Sequence, residues 1–488
     1  MSVLDTMNRR RFMKCSTAGL ATASLPNRSY AATPSNSLPN ILLIVSDDHG
    51  AGDLECWGHP VVKTPNLDRL AGDGTRFTHA FCTTASCSPS RSTILSGLHN
   101  HANGMYGLQH TYHHFKSFDN IISLPVYLTR MGYRTARVGK FHLAPDTVYK
   151  FGTVLSEGRA NNMQALGRSP VEMAETCNDF INSDDKRPFF LYYATDDPHR
   201  GIPFDTWPGP NLFGNRPNGY PKVKQIAYDP GDVQVPSFLP DTPECRAELA
   251  QYYQSVSRMD QGVGRLLSML KEAGVYDNTV IIYISDNGIA FPGAKTTVYD
   301  PGLLLPCIVR TPRQTHRNIT SDAMISWVDI APTLLEMAGG IPEEANFHGR
   351  SFAGVVDGQR SSGFDEMYAS HTFHEVTMYY PMRSVRTRKF KLIRNLAHEL
   401  EFPFAADLKK SSAWQSVIRR GAQHYGKRTI EALLHRPEWE LYDVVDDPHE
   451  VNNLAGDSRY RSDFDVLKNK LDDFRKRTDD PWAGYIGL

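Results

Sequence analysis

Two apolar runs that each end in a pair of acid or amide residues constrain this chain more than any other feature. Asn40-Ile41-Leu42-Leu43-Ile44-Val45 leads into Ser46-Asp47-Asp48-His49-Gly50, and Thr279-Val280-Ile281-Ile282-Tyr283-Ile284 leads into Ser285-Asp286-Asn287-Gly288. A run with no polar alternation reads as a strand buried on both faces, as in the middle of a parallel sheet. Pro188 through Ala194 is a third such run, followed by Asp196-Asp197-Pro198-His199-Arg200. Open α/β sheets collect their chemistry at the carboxyl ends of such strands. The polar residues after each run are therefore the first candidates for a site.

Helical patterns lie between the runs. Leu67, Leu70 and Ala71 lead one short helix, and Ser123-Leu124-Pro125 opens another with Pro at an early position. Ala247 through Ala273 is amphipathic (Leu249, Tyr253, Val256, Met259, Val263, Leu266, Leu267, Leu270), with Gly274 as its stop. Strands alternating with helices predict an α/β fold, a large mixed, mostly parallel sheet flanked by helices. Residues 201–245, rich in Pro and Gly, predict a long surface excursion beside the site. Past about residue 360 the texture changes. Met382–Thr387 and Phe390–Arg394 read as short strands joined at Arg388-Lys389, and Glu438–Asp443 as a third. A helix from Tyr460 to about Lys476 closes the chain. The organisation expected is a catalytic domain over 40–365 and a smaller antiparallel-sheet domain over 366–488.

The chain has 488 residues, with 53 Lys plus Arg against 54 Asp plus Glu and a formal charge of -1. That balance gives nucleic acid no support as a partner, although it leaves room for a locally basic pocket. Arg9, Arg10 and Arg11, a mild apolar stretch to Leu25 and Ser29-Tyr30-Ala31 follow one another as basic region, apolar region and cleavage site. Residues 1–31 thus resemble a twin-arginine export signal, with 32–39 as a lead-in. The reading implies export machinery as a partner and a bacterial periplasmic or secreted location. No later apolar run approaches the roughly 20 residues that cross a bilayer. The seven cysteines show no metal-type repeat and no disulfide framework.

Asp47, Asp48, Asp286 and Asn287 together offer the several oxygens a hard cation such as Ca2+ takes. Each Asp pair alone would read equally well as a solvated turn. Cys87-Ser88-Pro89-Ser90-Arg91 admits two readings from its residues. One is a thiol activated by a nearby guanidinium, the other a small buried hydrophobe on a turn.

The same pentapeptide resembles the C-x-P-S-R signature of type I, formylglycine-dependent sulfatases, which share the alkaline-phosphatase-like fold. Asp47-Asp48 and Asp286-Asn287-Gly288 stand in that family's order. Asn103 through Leu108, Gln261-Gly262-Val263-Gly264, and His374 through Val385 are similar to the N-sulfoglucosamine sulfohydrolase (sulfamidase) branch. The resemblance implies that Cys87 is oxidised by a formylglycine-generating or radical maturation enzyme, and that its hydrated aldehyde is the nucleophile. It implies calcium on Asp47, Asp48, Asp286, Asn287 and modified Cys87. Arg91 would orient the nucleophile, Lys140 and Lys295 would hold sulfate oxygens, His142 would move its proton, and His199 would act as acid at the leaving group. Asp197, His374, Glu375 and Arg383 would face the sugar, Arg383 through a sugar carboxylate or second sulfate. A homodimer is also implied, though no sequence feature requires it. Two departures stand out: Asp196 where sulfamidases commonly have His, and Lys295 in place of Arg.

The expectation is hydrolysis of the N-sulfate of N-sulfoglucosamine at the non-reducing end of heparin or heparan sulfate fragments. An exo-acting O-sulfatase on another sulfated sugar is the nearest alternative. A phosphonate or phosphate monoester hydrolase, or a catalytically silent sulfated-glycan binder, stands further off.

Overall fold

The structure is a computed structural model that describes residues 38–156, 165–201, 213–358 and 363–484. Strands β1 (Asn40–Ser46), β2 (Thr75–Phe81), β3 (Arg134–Gly139), β4 (Thr153–Val154), β5 (Phe189–Ala194), β6 (Thr279–Ser285), β7 (Cys307–Arg310) and β8 (Ile319–Ser326) form one sheet. Their order is β4-β3-β5-β1-β6-β7-β2-β8. All pairings are parallel except those of β7, which runs against both β6 and β2.

The apolar run of β1 is explained by its place. It pairs with β5 on one edge and β6 on the other. Ile41, Leu43 and Val45 enter one hydrophobic cluster, while Leu42 and Ile44 enter another on the opposite face. Side chains alternate between faces with a period of two, so a strand covered on both sides has no position for a polar residue. Each such side chain gains about 1.5–3 kcal/mol over exposure to water.

Helix Pro243–Glu272 covers the Leu42/Ile44 face with Met259, Val263, Leu266 and Leu270. Its start is set by Thr242, whose hydroxyl accepts the Cys245 N–H, and by Pro243 in the first turn. Gly274, in a left-handed conformation, follows its end. Helix Cys87–Ser96 lies on the other face, with Ile94 and Leu95 in the Ile41/Leu43 cluster.

A second sheet is wholly antiparallel. Strands β9 (Glu366–His371), β10 (Met382–Thr387) and β11 (Phe390–Asn395) precede a small hairpin, β12 (His424–Tyr425) and β13 (Arg428–Thr429), and then β14 (Trp439–Asp443). The order is β14-β11-β10-β9. Helix Arg461–Arg477 seals one face with Phe464, Leu467, Leu471 and Phe474 against Val385, Leu392 and Leu441. From the other face Met382, Ile393 and Tyr442 join the main cluster, so the two sheets share a core.

The expected strands fall within about a residue of those observed, as does the terminal helix. The expected excursion over 201–245 carries neither helix nor strand over 213–242, and residues 202–212 lie outside the described set, as does the 1–31 segment. The six cysteines among the described residues are all free thiols.

Arg383, expected to meet a sugar carboxylate or second sulfate, has a structural place instead. Its side chain is fully buried on β10, its Nε and Nη2 each 2.8 Å from Asp480, and Nη1 donates to the His371 carbonyl at 2.9 Å. Trp482 lies over the guanidinium. Removing one partner of a buried ion pair strands the other charge. Arg383→Ala should cost about 3 kcal/mol, the low end of the usual range, because Arg475 stays 3.1 Å from Asp480. Urea denaturation reads the change, and Arg383→Ala of unchanged stability would return Arg383 to the list of substrate contacts.

Candidate active site

Four adjacent strands deliver the site. In the order β3, β5, β1, β6, their carboxyl ends lead into Lys140, Asp196–His199, Asp47-Asp48 and Asp286-Asn287. Parallel register does the alignment: Ser46 pairs with Ser285, so the acidic residues that follow are neighbours. The backbone stays stitched beyond the strands, with Asp47 N–H donating to Asp197 O at 3.1 Å and Asp286 N–H to Ser46 O at 3.0 Å. Gly139 brings β3 close enough for the Lys140 N–H to reach Ala194 O at 2.8 Å. With φ at +80° and a Cβ that would fall 2.0 Å from that oxygen, the position requires glycine.

Cys87 opens its helix at the centre of this array. Its Sγ is 3.5 Å from Asp47 Oδ1 and 4.0 Å from Asp48 Oδ1. Lys140 Nζ donates to Asp47, and Lys295 Nζ lies 2.8 Å from Asp48 Oδ2. Arg91, one turn along the helix from Cys87, is held by Asp286 through Nε at 2.9 Å and Nη2 at 2.8 Å, with Tyr192 Oη at 3.2 Å from Nη1. His199 Nε2 is 2.9 Å from Lys295 Nζ and 3.4 Å from Asp48 Oδ2. The carboxylates and cations of this cage are fully buried or nearly so.

Charge balance decides the protonation states. Burial pushes Asp48 up to about 7 against the pull of Lys295, and Asp286 up to about 6 against Arg91. For Asp47 burial is outweighed by Lys140, Arg91 and Lys295, and its carboxyl is held below the usual range. Burial drives the Cys87 thiol well up, despite Lys140 and Lys295. A thiolate nucleophile is thus disfavoured, and Arg91, engaged by Asp286, does not create one. Burial, then the neighbouring lysines, hold His142 and His199 well below the ordinary imidazole value.

One group of side chains suits a metal ion: ligating atoms of Asp47, Asp48, Cys87 and His199 all lie within 4.8 Å of one another. Asn287 Nδ2 donates to Asp48 Oδ1 at 2.6 Å, and its Oδ1 is buried without a hydrogen-bond partner. Turning that amide over presents the orphan oxygen to the Asp48 side. The donors then are chiefly oxygens, which fits a hard cation. Asp286 stands behind them: its Oδ1 accepts the N–H groups of Asp48 and Asn287, and its Oδ2 faces Arg91.

The outer residues divide. His374 is buried, with Nδ1 2.8 Å from Ser86 Oγ, next to Cys87. His142 has neither ring nitrogen hydrogen-bonded and is held by a left-handed backbone and by stacking on His110, centroids 4.4 Å apart. Asp197 does not present a free carboxylate to a sugar. Its oxygens are taken by Arg168 at 2.9 Å and by Arg258 at 2.7 Å, and Arg168 also donates to His199 O. Glu375 is turned to backbone, accepting the Ala406 N–H at 2.8 Å. Arg168, Arg258 and His110 were missed in the sequence. Arg258 alone left a signal, a charge on the buried face of an amphipathic helix.

The family model described as Sulfatase matches residues 39–341, and that described as N-sulphoglucosamine sulphohydrolase, C-terminal, matches 293–420. The chain belongs to the sulfatase family and is a sulfatase of alkaline-phosphatase-like fold. It is 39% identical to N-sulphoglucosamine sulphohydrolase of Homo sapiens over 461 residues, 91% of each chain. An ulvan-active sulfatase of Formosa agariphila is 29% identical, over 89% of this chain and 78% of its own. Among solved structures, one in complex with its substrate D-glucosamine-2-N,6-O-disulfate has a TM-score of 0.65 at 22% identity, covering 91% of this chain and 99% of its own. The phosphonate monoester hydrolase of Agrobacterium radiobacter has a TM-score of 0.64 at 21% identity, covering 90% and 96%.

The raised carboxyls set a pH dependence. Without a cation, Asp48 and Asp286 bind more protons folded than unfolded between the ordinary 3.8 and about 7. Stability of that form therefore falls as pH rises through the window. A cation held by Asp48 would require that carboxyl ionised and remove its share of the loss. The rise in Tm produced by saturating calcium chloride should grow across the same window. A shift independent of pH would place the cation elsewhere.

Proposed function

We propose that this sulfatase hydrolyses the N-sulfate of N-sulfoglucosamine at the non-reducing end of heparin or heparan sulfate fragments. Formylglycine made from Cys87 would supply the attacking oxygen as its hydrate, and a divalent cation held by Asp47, Asp48 and Asn287, calcium by the donor chemistry, would supply Lewis-acid character. The observation that carries the reading is Cys87 itself. It is a buried, protonated thiol within 4.0 Å of two aspartates, in a cage where thiolate chemistry is disfavoured and an oxygen nucleophile would be well supported. The identity to the human sulphohydrolase over nearly the whole chain supports the choice of N-sulfate.

The chain's own residues have these tasks. Lys140 and Lys295 neutralise Asp47 and Asp48 now, and both ammonium groups stand where sulfate oxygens would gather charge. Arg91, fixed by Asp286, holds the helix start and the Cys87 side chain in line. His142, with both nitrogens free of protein hydrogen bonds, can accept a proton from the nucleophile. His199 sits beside Lys295, and a sulfate anion placed against the lysines would offset the part of the downward shift that they add to burial, favouring a protonated ring that can give its proton to the departing nitrogen. Overall the S–N bond breaks, an S–O bond forms from water, and the products are the free amine and sulfate. Export by the twin-arginine route, read from residues 1–31, completes the proposal.

Sulfate release from N-sulfoglucosamine should exceed that from glucosamine 6-O-sulfate, and the reverse order would assign an O-sulfatase. Peptide mapping of active enzyme should find aldehyde in place of the Cys87 thiol, and Cys87→Ala should lower kcat/KM by roughly three orders of magnitude or more. Full activity with an intact thiol would end the formylglycine reading. His199→Ala should lower kcat on the sulfamate by about 10²–10⁴-fold but affect an aryl sulfate much less, since a phenolate leaves without an acid. Equal losses on both would remove His199 from the leaving group.

A further inference from the structure

Residues 406–429 carry six Lys and Arg against one acidic residue, Asp407, in a chain whose formal charge is -1 overall. The segment forms helix Ala406–Lys409, helix Ser412–Arg419 and the β12-β13 hairpin. Two of the six are already engaged: Arg420 pairs with Glu244 at 3.0 Å, and Arg428 is stacked on Tyr299. Lys409, Lys410 and Arg419 are exposed and form no ion pair among the described residues, although Glu244, held below its usual range first by Arg420, also feels Arg419.

Local geometry brings the Lys409 backbone to the helix face that carries Arg419. Gln415 and Arg419 are four residues apart, on one face of their helix. Gln415 Nε2 donates to Lys409 O at 2.7 Å, which ties the end of the first helix to that face. The opposite face is buried, with Ala413, Trp414, Ser416 and Val417 inward. A folded helix thus has its outer side left basic and without protein cover.

The ridge is continuous with the active site. Glu375, next to His374, accepts the Ala406 N–H at 2.8 Å, and Met378 packs with Ala405 and Leu408. The loop that carries His374 over Ser86 and Cys87 therefore abuts the start of the basic segment.

We propose that Lys409, Lys410 and Arg419 form an exosite for the sulfated glycan chain that continues beyond the terminal sugar held at Cys87. The inference rests on the sulfated-glycan reading above and extends it, because it makes an oligosaccharide the preferred substrate. A glycan with a sulfate or carboxylate on most sugars complements an exposed row of cations. Such contacts are individually weak and salt-sensitive, but they add along a flexible polyanion and act mainly on capture.

The test compares wild type with K409E/K410E/R419E on the N-sulfoglucosamine monosaccharide and on an N-sulfated heparan hexasaccharide. The exosite predicts KM for the hexasaccharide raised roughly 10-fold at low salt, with kcat and the monosaccharide parameters unchanged and the difference shrinking as salt is added. The same variant should leave a heparin column at lower salt, a readout that does not require turnover. Equal hexasaccharide KM and equal elution for the two proteins would overturn the proposal. So would a loss of self-association in sedimentation with unaltered glycan kinetics, which would make the ridge a contact between copies. Failure of wild type to release any N-sulfate would instead overturn the proposed function, leaving the column to judge the ridge. Unchanged Tm in the variant certifies its fold, as expected for exposed side chains.

Discussion

The side-by-side pairing of β1 and β6 forces Asp47, Asp48, Asp286 and Asn287 into one buried volume, and most of the site is a response to that crowding. Buried carboxylates without partners are among the costliest arrangements a fold can hold. Here each is answered by a cation from a different element: Lys140 after β3, Lys295 from the loop beyond β6, Arg91 from the helix begun by Cys87. The compensation is deliberately incomplete in one sense. Asp48 remains proton-hungry, and an amide oxygen of Asn287 has no partner. A cation held there would answer both.

Behind the first residues lies a set of arginine clamps that hold loops rather than substrate. Arg168 and Arg258 grip Asp197, and Arg168 also holds the His199 carbonyl. Arg200, packed against both Phe213 and Phe291, bonds to Glu248 on the long helix. His199 therefore sits between two anchored neighbours, which suits a residue whose usefulness depends on where its ring points. In the second sheet Lys391 performs the same service for Asp300 and Glu450. Planar, multi-donor arginine is well matched to such bidentate fixation.

How much of this was readable depends on the kind of signal each residue leaves. Asp47 and Asp286 follow apolar runs that only a doubly covered strand can carry, so their position at the sheet's carboxyl edge was legible. Cys87, Lys140, His142 and His199 were named through family resemblance, and the fold gathers all four around one centre or its rim. Asp197, Glu375 and Arg383 were read as sugar-facing. Arg168 and Arg258 take the Asp197 carboxylate and Asp480 takes Arg383, while Glu375 gives one oxygen to the Ala406 N–H. A sequence lists charges without saying which find each other first. His110 and Arg168 lie in stretches with no periodicity to mark them.

The sequence alone marks strands β1, β5, β6, β10, β11 and β14, the long helix and the polar clusters at the strand ends, because burial patterns and turn chemistry are local properties read over a few residues. It also determined the asymmetry of charge between 406 and 429. Long-range packing settles which carboxylates keep a free oxygen and which are neutralised, since an ion pair depends on register and loop path over separations of up to 247 residues, as between Asp48 and Lys295. It alone brought Glu375 to Ala406, and with that contact set the basic helices beside the loop that closes over Cys87. Packing settles such long-range choices, because a buried charge must take whatever partner the surrounding fold places within reach.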